Sequence, residues 1–183
     1  PGACHGVHSA HRGQQQIGGR AGRLYRFTQD QRDILHQLLS EEMRPSLLAL
    51  CGGIAVADGE LCWPLPGHTY ISCHFGEADA FGNTGHRGTD IPAPEGTPIL
   101  AAHSGTVLVS GWNDSYGNQV LLDNGAGLST RYAHMTAFIV TSGQTVTAGQ
   151  TLGYVGSTGD STGNHLHFEV MLNGGLTDPM LLF

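Results

Sequence analysis

Four short stretches in the second half of this chain carry residue types that do chemistry, at spacings that matter. His86-Arg87-Gly88-Thr89-Asp90 sets an imidazole and a carboxylate four residues apart. Tyr132-Ala133-His134-Met135 supplies a further imidazole, and Ser161-Thr162-Gly163-Asn164 leads into His165-Leu166-His167-Phe168-Glu169-Val170. Side chains alternate along a β-strand, so His165, His167 and Glu169 share one face there and Leu166, Phe168 and Val170 the other. Tyr132 and His134 share a face of their own strand. A strand that buries an apolar face and presents two imidazoles opposite is placing chemistry. A catalytic zinc takes three N or O ligands from protein and keeps one position open. Two histidines and a carboxylate meet that need and leave other histidines for acid–base work. Glu169 reads either as a carboxylate that orients a histidine tautomer or as a solvated group near a strand end.

Composition narrows the field. The eight basic residues are all arginine, and without lysine there is no P-loop chemistry, pyridoxal Schiff base or lysine-tethered carrier. A net charge of −7 argues against a nucleic-acid binder. No apolar run reaches the length of a membrane span. The four cysteines, Cys4, Cys51, Cys62 and Cys73, are too scattered to read as a disulfide framework or a Cys-x-x-Cys metal site, and pairing among the last three stays open. Gly159-Asp160-Ser161-Thr162-Gly163 matches the serine-hydrolase elbow, but that elbow must open a helix, and a strand pattern follows here. Cys4, His5, His8 and His11 have a chelating spacing within a glycine-rich segment.

The elements that must position these groups divide the chain in three. Residues 1–27 read as a flexible lead-in without apolar periodicity. Residues 28–61 read as a helical accessory segment and linker. Thr28 caps it, Ile34, Leu35, Leu38, Leu39 and Met43 form an apolar stripe, and Pro45 opens a second short helix that stops at Gly52-Gly53. Over residues 28–50 that stripe is expected to dock on the rest of the chain or on a partner, because alone it is marginal. From residue 62 to 183 the texture is β: Thr97–Ala102, Gly105–Trp112, Asn118–Asp123, Leu128–His134, Thr151–Val155 and His165–Leu172, with Asp123-Asn124-Gly125 as a hairpin turn. Gly143–Gln150 has the turn–strand pattern of biotinyl and lipoyl carrier domains, which speaks to shape alone. The fold class expected is an all-β catalytic domain of antiparallel sheets, like a barrel-sandwich, preceded by a short α-helical segment.

The same residues resemble the lysostaphin/LytM-type zinc endopeptidases. The resemblance is carried by Trp63-Pro64-Leu65-Pro66, the run from His86 to Pro98, Tyr116-Gly117-Asn118, Thr130 to Met135, Gly153 to Val170 and Asp178-Pro179. It implies His86, Asp90 and His167 as ligands of one zinc ion per chain. His134 and His165 become the catalytic histidines, with His165 the general base and His134 bonding the water or the developing oxyanion. It further implies hydrolysis of bacterial peptidoglycan, with stem or cross-bridge peptides as partners, outside the cytoplasm as a secreted or envelope-associated protein. The competing expectation is a non-catalytic member of the same fold that binds cell wall or a partner. The complete set of five residues weighs against it.

Overall fold

Strand-forming runs broken by glycine turns give a chain that folds almost wholly by antiparallel pairing. The computed structural model describes residues 49–51, 54–56, 61–79 and 81–183. Its strands are β1 (Ala49–Cys51), β2 (Ile54–Val56), β3 (Thr89–Pro92), β4 (Pro98–Leu100), β5 (Gly105–Asn113), β6 (Gly117–Gly125), β7 (Leu128–Phe138), β8 (Thr145–Val146), β9 (Thr151–Val155), β10 (His165–Leu172) and β11 (Gly175–Thr177). A 3-10 turn at Pro179–Leu181 is capped by Asp178, whose carboxylate accepts from the Met180 amide.

β1 and β2 form a two-stranded hairpin, and the other nine strands form one sheet with the order β11-β10-β7-β6-β5-β8. β3 pairs with β10, and β9 pairs with both β7 and β4. The sheet curls because β7 changes partner along its length. Leu128–Ala133 runs against β10, whereas Met135–Phe138 runs against β9. Inside the curl lies one apolar core, including Leu65, Ile91, Ile99, Leu122, Tyr132, Leu152, Leu166 and Phe168. The buried Tyr132 hydroxyl accepts the Ala102 amide at 2.7 Å, so the only polar atom of that ring is satisfied.

The all-β expectation holds among the described residues, with three differences. The second helix expected after Pro45 does not reach Gly52: Ala49–Cys51 and Ile54–Val56 pair as strands. Two short apolar segments joined by Gly-Gly are a hairpin signal, and it prevails over the helical stop assigned to those glycines. The lead-in, the stripe from Ile34 to Met43, the Cys4, His5, His8 and His11 group, and residues 28–48 of the docking surface for a partner lie outside the described residues. Cys62 and Cys73 are each disulfide-bonded, so cysteine cross-linking is part of this fold after all. The β6–β7 hairpin turns at Ala126-Gly127, both with positive φ, rather than at Asp123-Asn124-Gly125. Asn124 is needed inside, where its amide donates to the His103 and Ser104 carbonyls and accepts from Thr130.

Candidate metal and catalytic centre

Strand register assembles the first half of the site. In β10, His167 sits opposite Asp90 of β3 on one side and Ala133 of β7 on the other. His86 precedes β3 in the same connection. His86 Nε2, Asp90 Oδ1 and His167 Nδ1 thereby meet: His86 to Asp90 is 3.2 Å, His167 to Asp90 is 2.8 Å, and the two nitrogens are 3.1 Å apart. The second half comes from a break in β7. His134 has a left-handed φ of 58°, rare for a residue with a side chain and costing on the order of 1–3 kcal/mol. This break is where β7 leaves β10, and it turns His134 toward His165, ring centroids 4.8 Å apart.

The second nitrogen of each histidine decides what the first can do. His86 Nδ1 faces the His74 carbonyl at 3.2 Å, His134 Nδ1 the Thr158 carbonyl at 2.8 Å, and His165 Nδ1 the Gly163 carbonyl at 2.8 Å. A carbonyl oxygen only accepts, so each of these nitrogens carries the proton. His167 Nε2 lies 3.3 Å from Glu169 Oε1, a carboxylate, and is likewise the donor. In their neutral forms the four imidazoles thus leave the remaining nitrogen as a lone pair; without a metal, His167 holds a second proton on Nδ1 and donates it to Asp90 at 2.8 Å. The remaining nitrogens of His86 and His167 face each other and the Asp90 carboxylate, and His165 Nε2 is 3.6 Å from Asp90 Oδ1.

The loops that hold His134 are packed at the limit. Gly117 and Gly159 both have positive φ, and a Cβ on Gly117 would collide with Thr158, one on Gly159 with the Gly117 backbone. The Thr158 hydroxyl donates to the Met135 carbonyl at 2.7 Å, which locks the turn that offers the Thr158 carbonyl to His134. The Ser161 hydroxyl donates to the Gly163 carbonyl at 2.9 Å within a turn that enters β10, not a helix, so the elbow geometry is absent here.

Glu169 is fully buried, not solvated. Its Oε1 accepts from the Tyr116 hydroxyl at 2.7 Å and from Arg87 Nε at 3.3 Å, and its Oε2 is 3.5 Å from Arg131 Nε. The Arg131 guanidinium stacks over the Tyr116 ring at 4.3 Å. Strand periodicity does not point to Tyr116, Arg87 and Arg131: Arg131 in β7 reaches Glu169 by register, standing opposite it in β10, while Arg87 and Tyr116 reach it from loops.

Charge follows from these contacts. Burial opposes a charged His167, but the bonds to Asp90 and Glu169 outweigh it and raise its pKa from 6.5 to about 9. Burial also works against the Asp90 carboxylate, yet the bonds from His167 and His86 hold it well below its ordinary value. For His134, burial and then repulsion from His165 lower the pKa to about 4. Burial lowers that of His165 too, with Asp90 pulling the other way. At neutral pH these two rings are neutral bases.

Three lone-pair atoms this close repel one another unless a cation or a shared proton lies between them. Tetrahedral zinc with bonds near 2.0–2.2 Å separates its ligand atoms by about 3.3 Å, and the edges of 2.8–3.2 Å found here fit that set. Cys73 also offers a sulfur within 4.8 Å of the His86 and Asp90 donor atoms, but it is disulfide-bonded and not a thiolate. The donors open onto a cavity of about 530 Å³ that His86, Arg87, Tyr116, His134, His165 and His167 help to line. All five residues expected at the centre are therefore brought together on one cavity.

Comparison with known proteins places this geometry. Peptidase family M23 matches residues 84–179, over half of the chain. The chain belongs to that family. Among M23 relatives, the DD-carboxypeptidase/endopeptidase Mpg of Neisseria meningitidis is 43% identical over 95 residues, 52% of this chain and 22% of that protein. A zinc-containing peptidase from Vibrio cholerae superposes with a TM-score of 0.61 at 32% identity, over 64% of this chain and 38% of that one. The catalytic domain of the antimicrobial peptidase lysostaphin from Staphylococcus simulans gives 0.55 at 35% identity, over 63% and 92%. The chain thus spans about a fifth of the length of curated M23 relatives such as Mpg. Among the described residues no helix is long and apolar enough to cross a membrane.

Proposed function

We propose that this chain is a zinc-dependent endopeptidase that hydrolyses peptide cross-links of bacterial peptidoglycan, with residues 62–183 as the hydrolytic domain. One observation carries the reading: four imidazoles, each with its protonated nitrogen tied to an oxygen, turn their free nitrogens into one cavity beside the Asp90 carboxylate. His86, Asp90 and His167 would hold the metal. Zinc held there supplies Lewis acidity, lowering the pKa of a water toward about 7 and polarising the scissile carbonyl.

The chain's own residues do the rest. His165 takes the proton of the attacking water at Nε2, and the Gly163 carbonyl at Nδ1 steadies the imidazolium that forms. His134 accepts a second hydrogen bond from that water. Donating to an oxyanion would require His134 as imidazolium, which its burial and the neighbouring His165 oppose, so of its two expected roles the water-orienting one is favoured. Glu169 keeps His167 in the tautomer that ligates. A site outside the cytoplasm accords with the disulfides at Cys62 and Cys73.

The test is digestion of purified peptidoglycan by the zinc-loaded chain, read as new amino groups and as muropeptide masses. Cleavage that stops on chelation and returns with zinc is expected. A zinc-loaded chain that sediments with peptidoglycan but releases no amino groups would instead be a binder.

A further inference from the structure

Between residues 61 and 183 there are nine acidic residues and only two lysines or arginines, Arg87 and Arg131. A domain so acidic has placed both of its permanent cations against one buried carboxylate, Glu169. Two guanidinium groups on one carboxylate leave a surplus positive charge, and its location follows from burial. Arg131 is mostly covered, 18% exposed at its side chain, and lies over Tyr116, whereas the Arg87 side chain is 60% exposed. Arg87 engages Glu169 through Nε alone, and its Nη groups have no partner among the described residues. It is also the only lysine or arginine among the described residues that line the cavity, and it adjoins His86 in sequence. Of the two carboxylates lining the outer cavity, Asp79 is consumed by the Phe81 and Asn83 amides and the Asn83 side chain. Asp160 sits in the turn preceding β10, on the side that holds His134 and His165.

We infer that Arg87 is a substrate-anchoring residue: its free Nη edge binds a carboxylate carried by the peptide close to the scissile bond. This rests on the endopeptidase reading above and narrows its substrate. Fixing the guanidinium by Nε leaves two N–H groups in the planar fork that a carboxylate accepts, which adds geometric selectivity to the pair. The favoured substrate is then a cross-link with a free acid beside the cut bond, rather than one in which that acid is absent or amidated.

The test uses the full zinc-loaded chain with two synthetic cross-link peptides that differ only in that group, free acid or carboxamide, plus pentaglycine. Wild type is expected to favour the acid over the amide about tenfold or more in kcat/KM, mainly through KM. Arg87→Gln should bring that ratio near one, and Arg87→Lys should leave it intermediate, with zinc content per chain measured for both. Equal use of acid and amide by wild type, or a preference that survives Arg87→Gln, overturns the inference. Calorimetric binding of the same two peptides measures the preference independently of turnover. A chain that cuts neither peptide yet binds the acid more tightly through Arg87 refutes the endopeptidase reading and keeps this one. A chain that cuts both alike does the reverse.

Discussion

The two halves of the site are built on different principles. Asp90 and His167 are placed by strand register, with His86 joining them from the connection into β3, and the ring of His167 is backed by a buried carboxylate with two arginines and a tyrosine around it. His134 and His165 are held by single backbone carbonyls from turns, one of them closed by glycines that tolerate no side chain. The charged half suits groups that must stay put and share a cation. The turn half suits groups that must change protonation, since a carbonyl accepts from both the imidazole and the imidazolium.

That contrast breaks most sharply under His167→Ala, which should take zinc and turnover to background together, as metal analysis beside a hydrolysis assay would show. His134→Ala and His165→Ala should keep close to one zinc per chain while turnover falls by about 10²–10⁴-fold. Zinc loss from His165→Ala equal to that from His167→Ala would place His165 in the other half. Gly159→Ala forces the two turns apart without touching a histidine. It should cost up to about 10²-fold in kcat with zinc retained, because small displacements of a positioned group are expensive. Glu169→Gln should act on the opposite half, weakening zinc affinity by about 10–100-fold in a competition titration. Most modest is a pH effect in the metal-stripped protein. The raised His167 pKa contributes stability that is fully present below 6.5 and lost as pH rises through about 9. The melting temperature should decline across that window, a change of at most about 3 kcal/mol, and His167→Gln should flatten it.

Much of this was legible in the residues, and the parts that were not share a cause. The strand from His165 to Leu172 is read correctly to its last residue because alternation is a local signal. Spacing together with a family resemblance names five residues for the proposed centre, and the fold brings all five onto one cavity. Glu169 was legible only as one of two readings, since alternation gives its face but not its burial, which depends on Arg131 arriving opposite it from β7. The tip of the β6–β7 hairpin moved for a similar reason. Asn124 has the composition of a turn residue but is claimed by carbonyls some twenty residues away. The strand at Ala49–Cys51 shows propensity yielding to pairing across Gly52-Gly53.

The disulfide at Cys73 has a consequence for the conditions under which the centre survives. The Cys73 carbonyl accepts the Asp90 amide at 2.9 Å, and the next residue, His74, offers the carbonyl that orients His86. One covalent tether therefore anchors the segment that braces two of the three donors. Were that buried tether reduced, the brace would be held by hydrogen bonds alone. Metal retention at the proposed centre would then depend on the redox poise of its surroundings, and a reductant strong enough to reach the buried Cys73 would weaken the centre without touching a histidine.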